Sequence, residues 1–376
     1  MLNGYVHQFK HLFARNLFEI YFLLAFRALG FSFIGIFIPL YLSIELGFPF
    51  SSVIYYFMAM TLAFALGSYF SLPLITKYGA KHAMIWSYPL LILGFLVVIS
   101  LAHFPSLYLL AAILKGFSMG IFWMGFHIDV AVYSHKKTIG KESGTIHFSS
   151  ILGAIVGPLI GGLVLYYYTF TVLFSLAILA FIISLVPMLF SKELYVKTAF
   201  DFRSLFVREH IKYFFGYFAQ GVRVTVLTVA WPLFIFAIFG SYVVLGGYAA
   251  FATFSIGILG YFAGVSIDTV KQKGILMRIA APFEATLWVF RAFVTTTTGV
   301  FLVALFGGIT SLGIDLPLLA KTYSRAKKEQ IAAFVFFRES SIRVGEFVAL
   351  LFLLLVVDLK ASFFFAAASS LLYLLF

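Results

Sequence analysis

The run Phe18–Leu42, FEIYFLLAFRALGFSFIGIFIPLYL, decides the fold class. It is 25 residues long and apolar apart from Glu19 at its edge and Arg27 near its middle. About 20 apolar residues rising 1.5 Å each cross a hydrocarbon layer of about 30 Å, so this run is long enough to span a bilayer as a helix. A cation at that depth costs at least ~2.5–3.5 kcal/mol on insertion scales. Such a side chain faces a water-filled cavity or a partner, which makes Arg27 a functional candidate.

The rest of the chain has the same character. It is 63% hydrophobic and 11% charged, with a mean hydropathy of +1.07. A soluble domain carries about 25% charged residues. No soluble fold could bury this much apolar surface, so the chain reads as a polytopic membrane protein. It has no cysteine, which excludes disulfides, thiolate metal sites and cysteine nucleophiles. The first residues, MLNGYVHQFKHLFARN, lack the apolar core and cleavage site of a signal peptide and read as a basic lead-in on the cytoplasmic side.

Twelve spans follow, at 18–42, 50–74, 82–102, 106–130, 146–167, 169–190, 213–239, 242–267, 276–294, 298–320, 331–357 and 360–376. A transmembrane barrel would show alternating segments of about ten residues, and these runs are too long and too uniformly apolar. The last span is the weakest, ending at Phe376 without a basic tail. The net charge of +12 is placed by sidedness. Of 26 Lys and Arg, 19 fall in the loops of one side, one on the other and six inside helices. That is the positive-inside pattern, and it requires no nucleic-acid partner. It puts both termini in the cytoplasm and the protein in the cytoplasmic membrane, with the lipid bilayer as its surroundings.

The longest polar stretch, 191–212, lies after the sixth span. The expected organisation is therefore an N-terminal six-helix bundle over 1–190, a cytoplasmic linker over 191–212 and a C-terminal six-helix bundle over 213–376. Short matches in common order support a parallel repeat. His127-Ile128-Asp129 answers Gly313-Ile314-Asp315, Ser149-Ser150-Ile151 answers Ser340-Ser341-Ile342, and Pro39-Leu40 answers Pro232-Leu233. Parallel halves related by an axis along the membrane normal are a transporter architecture.

The fifth span contains GAIVGPLIGG, with Gly153, Gly157 and Gly161 on one face and Gly162 beside it. Small residues at that spacing let a neighbouring backbone approach closely. Pro158 removes a backbone hydrogen bond and favours a kink. This stretch resembles the Gly-x-x-x-Gly-Pro-x-x-Gly-Gly pattern of the major facilitator superfamily of transporters. In the loop after the second span, Lys77, Gly79 and Lys81 match that family's other signature, while Thr76 stands where the family has Asp and Leu72 where it has Gly. In the second half, Gly264 and Asp268 keep the Gly and Asp. The resemblance implies an all-α fold of twelve transmembrane helices in two pseudo-symmetric six-helix bundles. It also implies gating or packing roles for Lys77, Gly79 and Asp268 and for the Gly153–Gly162 stretch. The missing Asp puts the usual latch of the first half in doubt.

The charges inside the spans are the candidates for chemistry. Arg27, Lys115 and Arg223 lie near mid-depth in spans 1, 4 and 7, which by the resemblance line a central cavity. Arg27 and Arg223 precede their matching prolines by 12 and 9 residues, so they are expected to face each other across the pseudo-two-fold axis. Two converging guanidiniums repel unless an anion sits between them, and their planar forks pair bidentately with carboxylate or phosphate. The arrangement is similar to the branch of the family that carries organic anions and phosphate esters. The bland alternative pairs Arg27 with Glu284. In span 11, Glu339, Arg343 and Glu346 share a face through i, i+4 and i, i+3 spacing and can neutralise one another. Glu284, Glu339 and Glu346 are the candidates for proton coupling, since a carboxylate in low dielectric holds its proton more readily.

There is no P-loop, Rossmann fingerprint, HExxH or GxSxG motif. The chain is therefore expected not to be an enzyme and to need no cofactor or metal. The expected function is secondary active transport of a small, anionic solute, proton-coupled or by exchange, by a monomer. A proton-driven exporter of hydrophobic compounds is the alternative within transport. A membrane enzyme or a non-transporting assembly or sensor protein is the alternative of another class.

Overall fold

The computed structural model describes residues 15–133, 139–190, 207–267 and 273–376. Most of the linker 191–212 and the loop holding Asp268 and Lys271 lie outside them. Twelve helical rods succeed one another. α1 comprises Arg15–Ile34, Ile38–Leu40 and a π turn at Tyr41–Glu45. α2 is Phe50–Tyr78, α3 Ala80–Ser100 and α4 Tyr108–Tyr133. α5 is Ile139–Tyr167 and α6 Phe170–Leu189. α7 joins Ile211–Thr225, a π turn at Val226–Ala230 and Trp231–Phe239. α8 is Tyr242–Ile267, α9 Lys273–Arg291, α10 Thr297–Ala326 and α11 Ile331–Val356. α12 is Leu359–Ser370, continued by the 3-10 turn Leu371–Leu375.

The apolar runs place these rods well, but not all their ends. α5 begins at Ile139 rather than 146, and α10 continues to Ala326 rather than 320. Polar residues carry a helix past the hydrocarbon as readily as apolar ones, because its hydrogen bonds are internal. Seven rods are individually long and apolar enough to cross a bilayer among the described residues. α9 and α11, which carry buried charges, are not among them.

The π turns occur in matching helices. In α1 the turn follows Pro39, and in α7 it precedes Pro232. Proline removes one rung of the helical ladder, and a local change of winding absorbs it. The pairing Pro39-Leu40 with Pro232-Leu233 therefore marks the same irregularity in both halves.

Packing repeats in the same way. In the first bundle α1 packs on α5 and α6, α4 on α2 and α3, and α3 on α6. In the second, α7 packs on α11 and α12, α10 on α8 and α9, and α9 on α12. Between the bundles α5 meets α8 and α2 meets α11. Large apolar side chains such as Leu66, Phe190, Phe283 and Leu355 remain outside, as lipid-facing positions require.

The glycine stretch of α5 is wedged between α1 and α8. A Cβ on Gly153 would lie 1.8 Å from the Ala25 carbonyl oxygen, and one on Gly157 1.7 Å from Ser32 Oγ. Gly161 faces Phe33 and Phe37. The Gly153–Gly157–Gly161 face therefore packs on α1 of its own bundle. Contact with the other bundle runs along Pro158 and Gly162. A Cβ on Gly162 would sit 2.6 Å from the Tyr242 oxygen, and one on Gly246 of α8 2.3 Å from the Pro158 oxygen. Gly79, at φ +92, is the single residue between α2 and α3, a backbone conformation that glycine adopts without strain.

The bundles touch at both ends. Away from the basic loops, Ile38–Leu40 meets Trp231–Phe239, and the Phe37 and Tyr242 rings lie 6.3 Å apart. At the basic end Leu72, Ile75 and Ile128 pack with Ala332 and Val335 of α11. A cavity lies between these closures.

Candidate functional site

The cavity measures about 300 Å³. Its walls come from the parts of α4, α7, α10 and α11 nearer the basic loops, with single side chains from α1, α2 and α5. The two bundles contribute different chemistry. From the first come Leu24, Phe64, Trp123 and Phe126, with His127 and Ser150 at the edge. From the second come Gln220, Asp315, Thr322 and Tyr323 with the aliphatic Val224, Leu318 and Leu319, and from α11 Arg338, Glu339 and Arg343 with Ile342. All the permanent charges thus stand on the second bundle.

One polar chain crosses the cavity. Arg338 Nη1 donates to Glu339 Oε1 and, over 2.9 Å, to His127 Nε2. His127 Nδ1 lies 2.8 Å from the Tyr323 hydroxyl oxygen. Arginine cannot accept a hydrogen bond, so Nε2 is the acceptor. The ring proton is then assigned to Nδ1, which donates to Tyr323. Trp123 stacks on His127 with ring centroids 5.4 Å apart and fixes its plane. α4 of one bundle is thereby tied to α10 and α11 of the other.

A second tie lies deeper. Arg343 Nη1 donates to Glu346 Oε2 over 2.6 Å, and Thr61 of α2 donates to the same oxygen over 3.3 Å. The Arg343 guanidinium lies 3.9 Å from the centre of the Phe64 ring. The ladder on α11 therefore differs from its sequence reading. Arg343 pairs with Glu346, but Glu339 pairs with its neighbour Arg338. Arg338 is turned toward the cavity, where His127 offers it a second partner that helical spacing on α11 does not reveal.

The three cations expected to contact solute lie at different depths. Arg223 donates to Asp315 and, over 3.0 Å, to Ser311 of α10. It stands behind the wall that Asp315 forms. Arg27 is 2% exposed and none of its three guanidinium nitrogens makes a hydrogen bond. Its charge lies 3.5 Å from the centre of the Phe122 ring, 5.0 Å from Phe31 and 5.1 Å from Tyr88. Leu24, one turn earlier, is on the wall, and Phe126, stacked on Phe122, faces the cavity. Arg27 is thus one side-chain layer behind the apolar wall. Lys115 is off the wall inside the first bundle, where Nζ donates to the Tyr56 hydroxyl over 3.0 Å beside Phe95. Arg27 and Arg223 do not face each other: Arg27 turns toward Phe31, Tyr88 and Phe122 of the first bundle, and Arg223 toward Ser311 and Asp315 of the second.

The acids are equally separated. Glu339 is on the wall and Glu346 is one turn behind Arg343. Glu284 is buried between α9 and α10, where it accepts from Thr310. It is not the partner of Arg27. Lys77 is exposed at the end of α2, with Nζ 4.9 Å from the Tyr78 ring centre. Sequence reasoning did not single out Trp123, Tyr323 or Arg338 as wall residues, and used His127 only as a repeat marker. The available signal was a histidine in the apolar run of α4 and adjacent opposite charges in α11.

The search of curated proteins finds no match by sequence. The human organic anion transporter MFSD10 (TETRAN) superposes with a TM-score of 0.71 over 96% of this chain and 99% of its own, at 12% identity. The Escherichia coli fucose:proton symporter FucP superposes with a TM-score of 0.66 over 95% of this chain and 96% of its own, at 13% identity. At such identities the likeness is one of fold. The family model for the Major Facilitator Superfamily matches residues 20–349. The chain is a multi-pass membrane protein and belongs to the Major Facilitator Superfamily, a family of transporters.

Proposed function

We propose that this protein moves a small anionic solute across the cytoplasmic membrane by alternating access, coupled to protons or by exchange. The observation that carries the reading is the inter-bundle cavity with Arg338 and Arg343 on its wall. A cavity of this size between two bundles is where a small solute binds, and an arginine fork is suited to carboxylate or phosphate. One solved relative in fold is described as an organic anion transporter and another as a proton symporter.

The charges at the site balance. Arg223, Arg338 and Arg343 are each held by one carboxylate, Asp315, Glu339 and Glu346 respectively. An anion that takes Arg338 from Glu339 leaves an uncompensated buried charge unless a proton enters too. Glu339 is the group placed to receive it. It shares the wall with Arg338, and His127 keeps Arg338 in place once Glu339 is neutral. Glu346 and Glu284 are the further coupling candidates. Arg27, one layer back and without a counter-ion, supplies positive potential to the apolar side as the bundles rock, and Arg223 orients Asp315. Lys115 supports the first bundle from behind.

In this reading the protein works as a monomer. Residues 1–190 and 213–376 form the moving bundles, 191–212 the linker, and the basic loops and both termini face the cytoplasm. Pro158, Gly162 and Gly246 form the seam along which the bundles move. Lys77, Gly79 and Asp268 serve the closure at the basic end.

Counterflow in vesicles tests the reading. Purified protein should exchange a labelled carboxylate or phosphate ester, and the charge-neutral double variant Arg338→Gln, Glu339→Gln should not, while melting as a folded protein. Exchange of neutral sugars or cations, with none of any anion, would overturn it. Glu339→Gln alone should keep counterflow but lose accumulation driven by acid on the side of the anion.

A further inference from the structure

The two walls of the cavity differ enough to specify more of the solute than its charge. The α11 wall offers two guanidiniums, and Gln220, Thr322 and Tyr323 add polar groups beside it among the aliphatic Val224, Leu318, Leu319 and Ile342. The facing wall is made of Leu24, Trp123 and Phe126, with Phe64 beside them under the Arg343 guanidinium. Trp123 is held by its stacking on His127, and Phe126 by its parallel stacking on Phe122 at 6.2 Å. This wall is therefore preorganised, and its planes are set before a solute arrives. Both nitrogens of His127 are already engaged. A polyhydroxylated body would set its hydroxyls against Phe64, Phe126 and Leu24, which offer no hydrogen bond. Buried hydroxyls without partners are disfavoured. A flat apolar body loses nothing there and gains ring contacts. The volume of about 300 Å³ is roughly ten water molecules' share. That is room for one ring with an acidic head.

We propose that the solute is an amphipathic organic anion, a single flat apolar ring bearing one carboxylate or phosphate, bound with its ring on α2 and α4 and its acidic head on Arg338 and Arg343. The proposal rests on the anion-transport reading above and narrows it. It makes the first bundle the reader of the body and the second bundle the reader of the head. Both bundles must then grip one molecule, so the solute itself bridges the parts that move.

Counterflow of labelled benzoate and of labelled phenyl phosphate, each competed by acetate, inorganic phosphate and glucose 6-phosphate, tests this. The two labelled probes distinguish the kind of head. One of the ring-bearing anions should exchange with a KM at least about tenfold below that of acetate or inorganic phosphate, a difference of the size one ring contact supplies. Trp123→Leu, which keeps an apolar side chain, should raise the KM for the ring-bearing anion about tenfold. It should cost acetate or phosphate exchange markedly less than exchange of the ring-bearing anion, whereas a folding defect would depress all of them together. Equal or better exchange of acetate, inorganic phosphate or glucose 6-phosphate would overturn the ring assignment and leave anion transport standing. So would a Trp123→Leu protein impaired equally toward every anion. No exchange of any anion would remove the transport reading and this one with it.

Discussion

The two bundles share a packing plan but surround most of their buried charges differently. In the first, Arg27 and Lys115 are surrounded by aromatic rings, and among the described residues no carboxylate is buried there. In the second, Glu284, Glu339 and Glu346 are buried, and Arg223, Arg338 and Arg343 each hold an acid, while Arg291 packs on the Trp288 and Trp231 rings. A ring face attracts a cation by about 0.5–2 kcal/mol without cancelling its charge. A carboxylate cancels it. The first bundle is therefore net positive inside, and the second is close to neutral but rich in breakable pairs. The difference teaches a division of labour. In the proposed cycle the second bundle exchanges partners with a solute and a proton, and the first holds a constant positive potential behind an apolar wall.

That contrast can be broken at its strongest point with Glu339→Ala. Removing one partner of a buried pair costs about 3–5 kcal/mol, because the other charge is left behind. A large fall in thermal stability together with lost counterflow is expected, and a melting temperature equal to the parent's would show that Arg338 does not depend on its acid. The seam comes next. Gly246→Ala forces a Cβ against the Pro158 oxygen, and overpacking of this kind costs about 1–3 kcal/mol. A lower melting temperature and slower exchange should follow, whereas an unchanged exchange rate would take the seam out of the transport cycle.

Arg27→Met sharpens the comparison, since this cation has no acid to abandon. Stability in detergent should stay within about 1 kcal/mol of the parent or rise, because the charge is costly and only rings are lost. Anion exchange should nonetheless fall about tenfold as the positive potential disappears. Undiminished exchange would reduce Arg27 to a packing element. The smallest effect belongs to Lys115→Met, which should change exchange by less than about twofold, given its place behind the wall. A tenfold loss measured in the same assay would bring Lys115 into the solute's path.

Much of the architecture was legible in the chain. The length and uniform apolarity of the runs give the rods, because a backbone in lipid must satisfy its hydrogen bonds internally. The order of Pro39-Leu40 and Pro232-Leu233 foretold a shared irregularity, which appears as a π turn in α1 and in α7. The GAIVGPLIGG stretch announced close backbone approach, but not that one face of it serves α1 and the adjoining one α8. The site was less legible. Depth along a helix can be counted, but the direction of a side chain depends on rotation about the axis and on neighbours far away in sequence. Arg27 and Arg223 are near the same depth, yet Phe122 draws one into the first bundle and Asp315 the other into the second. Helical spacing on α11 gives Arg338 no partner role, and His127, 211 positions earlier, gives it its place across the cavity.

By itself the sequence determined that this is a twelve-span membrane protein with its basic loops on one side, and that cations lie inside its helices. Composition and period suffice for that, since the bilayer acts on every residue in the same way. Only the tertiary structure decided which of those cations reach a common cavity and which are shut among rings. It also decided that Glu339 belongs to Arg338 and that an apolar wall faces a charged one. Those outcomes depend on contacts such as Arg223 with Asp315, 92 positions apart, and Arg338 with His127, 211 apart, which also turn the neighbours Arg338 and Glu339 toward one cavity.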